Sequence, residues 1–257
     1  MKPSEIDLSI IIPAYMEADR IADSLNRLAA FLKTREYGEV EVLVVTADSP
    51  DGTAAIAQAA GKQFPHFRLI NAGPRVGKGR DVRLGIFEAR GRYRLFMDAD
   101  LATPLEHLDD IKIFMDRGGQ IAVAVRDLLV IHKGLMRKTA SKAANIAAQI
   151  LVVPGVKDTQ CGFKAFEAGV AEAVFSRMTM LQWSFDMEIL AIARQQHFQI
   201  DFIDVPDWAD PKAADMGLGG DSIVKVALAG FLDPLKIRLG IWSGKYRQPH
   251  YTHKPRY

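Results

Sequence analysis

Short apolar runs alternate with helical periodicity along most of the chain. LSIII (8–12) leads to Pro13 and then to a stretch from Ala18 to Lys33 in which Ile21, Leu25, Leu28 and Leu32 share one helical face. VEVLVV (40–45) runs into a turn, DSPDG, and an alanine-rich helix is expected from Thr53 to Phe64, capped by Asp51 or Thr53. FRLINA (67–72), YRLFMD (93–98) and QIAVAV (120–125) read as further strands. Between them lie a helical pattern from Val76 to Ala89 and another opened by Pro104, a favoured first-turn residue. Strand and helix alternating in this way predict an α/β fold, a mainly parallel sheet with helices on both faces.

The second half is less regular. Gly134 to Val153 reads as a long helix, basic at its start and apolar later; DTQCGFKAF (158–166) is part strand; Trp183 to Gln195 is helical; QIDFIDVP (199–206) is a late strand. Asp221 to Trp242 is amphipathic, and Pro234 should split it. These patterns divide the chain into a catalytic-sized domain over 1–210 and a region over 211–257 that holds a mobile loop (Lys212 to Ser222), an amphipathic helical segment and a basic tail.

Composition narrows the function. With 257 residues, nearly half of them apolar, and a formal charge of +2, the chain can bury a large core and is not basic enough for a general nucleic-acid binder. The tail KYRQPHYTHKPRY, with four cations and no acid, is either a solvated terminus or a contact for an anionic surface. A single cysteine, Cys161, excludes an internal disulfide and argues against a Cys-based zinc site. No signal peptide and no membrane-length apolar run is visible, so a reducing cytoplasm is expected.

MDADLATP (97–104) carries the strongest chemical signal. A buried strand ends at Asp98, and Asp100 follows two residues on, so both carboxylates can reach one hard cation, Mg²⁺ or Mn²⁺, at the strand's carboxyl end. GPRVGKGRDVRLG (73–85) is no P-loop: the spacing is one residue short and Gly79 stands in place of the metal-binding hydroxyl. Its cations, Arg75, Lys78, Arg80 and Arg83, loosened by glycines, still suit a diphosphate or an acceptor phosphate; the alternative is a solvated basic helix start.

IIPAYMEADRIADSL, VVTADSPDGT, GKGRDVRLGIFEARGRYRLFMDADLATP, DTQCGFKAF and WSFDMEIL occur in that order, and the set resembles the inverting GT-A glycosyltransferases of family 2 from about Leu8 to Pro206. It is most similar to the branch that transfers glucose or mannose to dolichyl or another polyprenyl phosphate, and DTQCGFK leans towards glucose. The resemblance implies a Rossmann-like GT-A domain with C-terminal amphipathic helices. It implies that Pro13, Tyr15 and Glu17 line the nucleoside pocket, with Met16 where the family usually has Asn as a local turn former. Thr46 stands where relatives place the acid that accepts from the base, and Asp48, displaced along the turn, is expected to meet the base or ribose. Lys78, Arg83, Asp98, Ala99 and Asp100 are assigned to the donor, with Asp98 and Asp100 on the metal and diphosphate. Arg126, Arg137 and Gln160 are assigned to the acceptor phosphate. Asp158 falls in the acceptor-side motif, and Asp186 and Glu188 in the helix that closes the site.

These expectations define a mechanism. An inverting transfer is one in-line displacement; a hydroxyl acceptor needs a general base, for which Asp158 and Asp186 are the candidates, whereas a phosphate acceptor is already largely ionised. Expected partners are a nucleotide-sugar, UDP-glucose or GDP-mannose, a polyprenyl-phosphate lipid and a membrane surface, with no nucleic acid; a homo-oligomer or separate membrane partner stays open. Both Gly134–Val153 and Asp221–Trp242 suit either a basic amphipathic surface on lipid, at the cytoplasmic membrane face, or ordinary packing on the sheet. The competing readings are a transferase with a soluble or hydroxyl acceptor and a degenerate nucleotide-sugar-binding protein.

Overall fold

In the computed structural model, residues 6–126, 152–153, 155–156, 158–208 and 232–251 are described. Seven strands form one sheet: β1 (Leu8–Ala14), β2 (Val40–Thr46), β3 (His66–Asn71), β4 (Tyr93–Met97), β5 (Ile121–Arg126), β6 (Phe163–Glu167) and β7 (Ile200–Val205), in the order β3-β2-β1-β4-β6-β5-β7. β6 runs antiparallel between β4 and β5, and the other pairings are parallel. The α/β, GT-A-like reading is therefore borne out, with one reversed strand inside the sheet.

The helices are α1 (Ile21–Leu32), α2 (Thr53–Gly61), α3 (Lys78–Glu88), α4 (His107–Asp116), α5 (Ala168–Phe175), α6 (Phe185–Gln195) and α7, at 232–242. Two apolar layers sandwich the sheet. Alternate residues of one strand serve both: Ile10 and Ile12 of β1 join Leu25 and Leu28 of α1, while Ile11 joins Val82 and Ile86 of α3. Gly85 lets α3 lie close on the sheet, since a Cβ there would come within 2.3 Å of Ile11 Cγ2.

Boundaries differ from the sequence pattern in informative places. α4 begins at His107, not Pro104, because residues 104–106 form a preceding turn in which the Pro104 carbonyl accepts from His107 N–H at 3.2 Å. α2 stops at Gly61, whose Cβ would strike the Phe67 ring. Of the segment from Asp221 to Trp242, residues 232–242 are described and are helical throughout, Pro234 included. The expected helix from Gly134 lies outside the described residues except for Val152 and Val153, which are buried in the α3 layer; the loop from Lys212 to Ser222 lies outside them too.

Residues 232–251 pack on the body. Tyr246 is fully buried in the same layer as α3 and α6, and the N–H groups of His250 and Tyr251 both donate to the Ser176 carbonyl.

Candidate active site

The carboxyl ends of β1, β2 and β4 carry the site, as expected for a parallel sheet. After β4 the chain turns sharply. Leu101 takes a left-handed φ of 52°, Ala102 N–H closes an Asx turn on Asp100 Oδ1 at 3.1 Å, and the Ala99 carbonyl accepts from Ser24 Oγ of α1 at 2.5 Å. Asp98 N–H donates to the Gly162 carbonyl at 3.1 Å, so the DTQCGFK segment abuts the acid pair. Gly162 is required there, because a Cβ would lie 2.1 Å from Asp98 Oδ2.

Charges alternate through this pocket. The Lys78 ammonium contacts the Asp98 carboxylate, and Arg20 Nη1 lies 3.8 Å from Asp100 Oδ2. Burial opposes the charge on Lys78, but Asp98 and then Asp186 hold its pKa above the ordinary value. Burial, reinforced by Asp98, pushes the Asp100 carboxyl up. Deeper, Asp186 accepts from Lys164 Nζ at 2.5 Å, and the same ammonium donates to the Cys161 carbonyl at 2.5 Å. Burial raises the Asp186 pKa against the pull of Lys164 and Lys78.

On the acceptor side, Arg126 and Asp158 form a bidentate pair, with Nε to Oδ2 at 2.5 Å and Nη2 to Oδ1 at 3.1 Å. Burial works against ionisation of Asp158, yet Arg126 and the Gln160 N–H hold its pKa below the usual carboxylate range. The Trp208 ring covers the guanidinium at 4.7 Å. Gln160 itself is exposed.

A metal has a plausible seat here. Asp98 and Asp100 present hard oxygens, and the Lys78 ammonium already rests on Asp98 as a cation would. Among the described residues no group of three or more His, Cys, Asp or Glu converges. A two-carboxylate set fits Mg²⁺ or Mn²⁺, which take one or two protein carboxylates and fill their other positions with phosphate oxygens and water.

The DSPDGT turn has a different task from the one its acids suggest. Ser49 Oγ accepts from Met16 N–H at 2.9 Å, Asp51 Oδ2 from Ala18 N–H at 3.0 Å, and Thr53 Oγ1 from Glu17 N–H at 2.9 Å. Three side chains thus hold the backbone of the loop after β1. Met16 adopts a left-handed φ of 58°, which accounts for Asn as the usual residue. Tyr15 stacks under the Arg75 guanidinium at 3.8 Å, Pro13 is the penultimate residue of β1, and Glu17 pairs with Arg20 at 2.7 Å.

Several expected donor contacts are spent elsewhere. Thr46 is fully buried, and its hydroxyl faces the Ile70 carbonyl of β3 at 3.5 Å, so it cannot meet a base in this arrangement. Asp48 is exposed beyond the strand end, with Asn71 Nδ2 on its carboxylate at 3.1 Å. Arg83 points to the C-terminal segment: it lies over the Tyr251 ring at 4.3 Å, which also meets Phe87 of α3, and it donates to the Met178 carbonyl at 3.3 Å. The glycines beside Lys78 give close packing instead of looseness. Gly79 N–H and Arg80 N–H donate to the Gln182 and Leu181 carbonyls, and a Cβ on Gly79 would lie 2.8 Å from Phe185 Cβ. Ala99 is buried under the turn, and Arg137 lies outside the described residues.

Glu188 is wholly structural in its surroundings: Thr179 N–H, Thr179 Oγ1, Met180 N–H and the Tyr246 hydroxyl all donate to it between 2.6 and 2.9 Å. Cys161 is a buried packing residue whose thiol is pushed up to about 11, chiefly by burial. Phe185 is core, whereas Trp183 is exposed with the Lys78 ammonium 5.7 Å from its ring.

Two side chains central to this arrangement were not among the expected site residues, Lys164 and Trp208. A lysine inside the apolar strand FKAF is itself a signal, since a buried ammonium demands an acid partner.

Comparison with known proteins shows the family and the fold. Residues 9–175 match the family model described as Glycosyl transferase family 2. A dolichyl-phosphate beta-glucosyltransferase of Trichomonas vaginalis is 30% identical over 257 residues, covering 95% of this chain and 78% of that protein. One of Saccharomyces cerevisiae is 30% identical, with 95% and 77% covered. The crystal structure of glucosyl-3-phosphoglycerate synthase from Mycobacterium tuberculosis in complex with Mn²⁺, UDP and glucosyl-3-phosphoglycerate superposes with a TM-score of 0.64 at 16% identity, covering 91% of this chain and 80% of that one. At that identity the likeness is one of fold.

Proposed function

The chain belongs to glycosyl transferase family 2, and on that premise we propose that it moves glucose from a nucleotide-sugar, UDP-glucose ahead of GDP-mannose, to a polyprenyl phosphate at a membrane surface by an inverting in-line displacement. The names of its relatives, dolichyl-phosphate beta-glucosyltransferases, support the sugar and the acceptor class. The observation that carries the acceptor is the state of the acids. Asp98 lies on Lys78, Asp158 on Arg126 and Asp186 on Lys164, while Asp100 faces Arg20. Each candidate base is committed to a cation. A hydroxyl acceptor would need one of them free; a phosphate, with a second pKa of about 6, brings its own charged oxygen.

The roles follow from position. Asp98 and Asp100 would hold Mg²⁺ or Mn²⁺, which when bound neutralises the charge developing on the leaving diphosphate. Lys78 offers a second cation at the same place. Arg126, oriented by Asp158 on its edge and Trp208 on its face, presents a guanidinium for the acceptor phosphate, and Arg137 is assigned the same ligand. Tyr15 and the loop held by Ser49, Asp51 and Thr53 form the nucleoside side. Asp186 acts through Lys164 and Lys78 to set the charge of the pocket.

The test is transfer of radiolabelled sugar from UDP-glucose and from GDP-mannose to polyprenyl phosphate with Mn²⁺ present. Organic-extractable label from UDP-glucose is expected, and its loss by at least about 10²-fold in Asp98→Asn and Asp100→Asn with their folds intact. Label that stays in a water-soluble product would reject the lipid acceptor.

A further inference from the structure

Helix α7 is apolar on both sides. Its inner side, Ile237 and the partly buried Ile241, packs into the layer that contains Tyr246 and α6. Its outer side carries Leu232, Leu235, Leu239 and Trp242, exposed at 37%, 45%, 52% and 68%. At 3.6 residues per turn these four fall within about 80° of arc, on the side opposite Ile237. A surface helix ordinarily turns its polar face to water, and large apolar side chains exposed together mark a contact surface.

The border of this stripe is cationic. Lys236 flanks it on one side and Arg238 on the other, with the Arg238 guanidinium 5.0 Å over the Trp242 ring. From residue 232 onward the sequence contains Lys236, Arg238, Lys245, Arg247, Lys254 and Arg256 against a single acid, Asp233. That acid is already engaged, accepting from Ser184 Oγ at 2.5 Å and from Lys236 Nζ at 2.8 Å.

We infer that this stripe is a lipid-docking face, with Leu235, Leu239 and Trp242 entering the boundary between headgroups and acyl chains of an anionic membrane while Lys236 and Arg238 meet lipid phosphates. The choice of a lipid over a protein partner rests on the polyprenyl-phosphate reading, and the charges agree with it. Two copies meeting stripe to stripe would set cations against cations. The helix is also tied to the site. Ser184, which holds Asp233, directly precedes α6, whose second residue is Asp186, and the exposed Trp183 comes just before it. Docking through α7 therefore brings the bilayer to the neighbourhood of Lys78 and Asp186.

Co-sedimentation with vesicles that contain no polyprenyl phosphate tests the face separately from the reaction. The full chain should bind phosphatidylcholine vesicles carrying phosphatidylserine, bind less as salt rises, and lose about tenfold or more of its partition in Leu235→Glu/Leu239→Glu. The milder Leu235→Ser/Leu239→Ser should lose part of it, and melting curves with UDP and Mn²⁺ establish that each variant is folded. Transfer to a short, water-soluble isoprenyl phosphate should be unchanged in the folded variants, while transfer to long-chain acceptor in vesicles falls. Wild-type protein that ignores anionic vesicles, or a folded Glu variant that binds them like wild type, overturns the inference. So does a variant that keeps vesicle binding but changes from dimer to monomer in sedimentation velocity, which would make the stripe a protein contact. Vesicle binding without transfer to either acceptor would sustain the docking face and reject the proposed reaction instead.

Discussion

Lys164 Nζ and Asp186 Oδ1 lie 2.5 Å apart with both side chains closed off from solvent. A buried pair of this kind is costly to break from one side, because the remaining charge is left without a partner. Lys164→Met should lower the unfolding free energy by about 3–5 kcal/mol, and Lys164→Met/Asp186→Leu should be more stable than the single variant. Urea titrations of the single and double variants decide this; a double variant no better than the single would show that the ion pair is not what the lysine supplies.

Gly162 gives a sharper separation of stability from activity. The atoms that its added Cβ would strike belong to the Asp98 carboxylate, the mobile end of a side chain. Gly162→Ala should therefore swing Asp98 aside, cutting transfer by about 10²-fold while the melting temperature stays close to wild type. Gly85→Ala, where the Cβ meets Ile11 and Val45 in the core, is the control. It should cost about 1–3 kcal/mol in stability without a specific effect on donor binding.

His107 predicts a pH dependence. Its two ring nitrogens lie 2.8 Å from Asp110 and from Asp207, one residue before Trp208. Burial disfavours the imidazolium, but Asp207 and Asp110 outweigh it and the pKa is raised. A raised folded pKa stabilises fully below the unfolded value of about 6.5, and that contribution is lost as pH rises through the folded value. Melting temperature should thus decline on the alkaline side, and His107→Gln should flatten that limb by no more than about 2 °C, since both carboxylates are half exposed. An identical pH profile in the variant would show that the histidine does not titrate in this window.

Met16 holds a left-handed backbone without the side chain that usually favours it. Met16→Asn and Met16→Gly should stabilise the protein by about 0.5–1 kcal/mol with donor affinity retained, measurable by thermal shift with and without UDP. Destabilisation in both would mean that the exposed methionine makes a contact worth more than the strain.

The alternation of apolar strands and helices was legible in the sequence because the inner strands β1, β2 and β4 are buried along nearly their whole length and a helix such as α1 buries one face. The acid pair was legible for the same reason: a carboxylate at the end of YRLFM has nowhere to go but the strand's carboxyl edge. The reversed strand β6 was harder to foresee, since its order depends on a connection far longer than a βα loop. Thr46 was misread by position. It is the last paired residue of β2, opposite Ala14 and Asn71, and its hydroxyl turns into the sheet, while the next acid, Asp48, lies beyond it. Arg83 was misread by composition. A cation near glycines looks the same in sequence whether it faces a ligand or, as here, Tyr251 more than a hundred positions away.

Glu188 depends for its fourth donor on the hydroxyl of Tyr246, 58 positions later in the chain. A nascent chain leaving the ribosome would have synthesised everything in the family-matched segment, and α6 with Asp186, long before that donor exists. Until residue 246 emerges, the helix beneath the pocket contains a carboxylate one bond short of its shell. Completion of the Glu188 shell is thus timed to a late event in synthesis, and a product truncated before residue 246 would lack that donor.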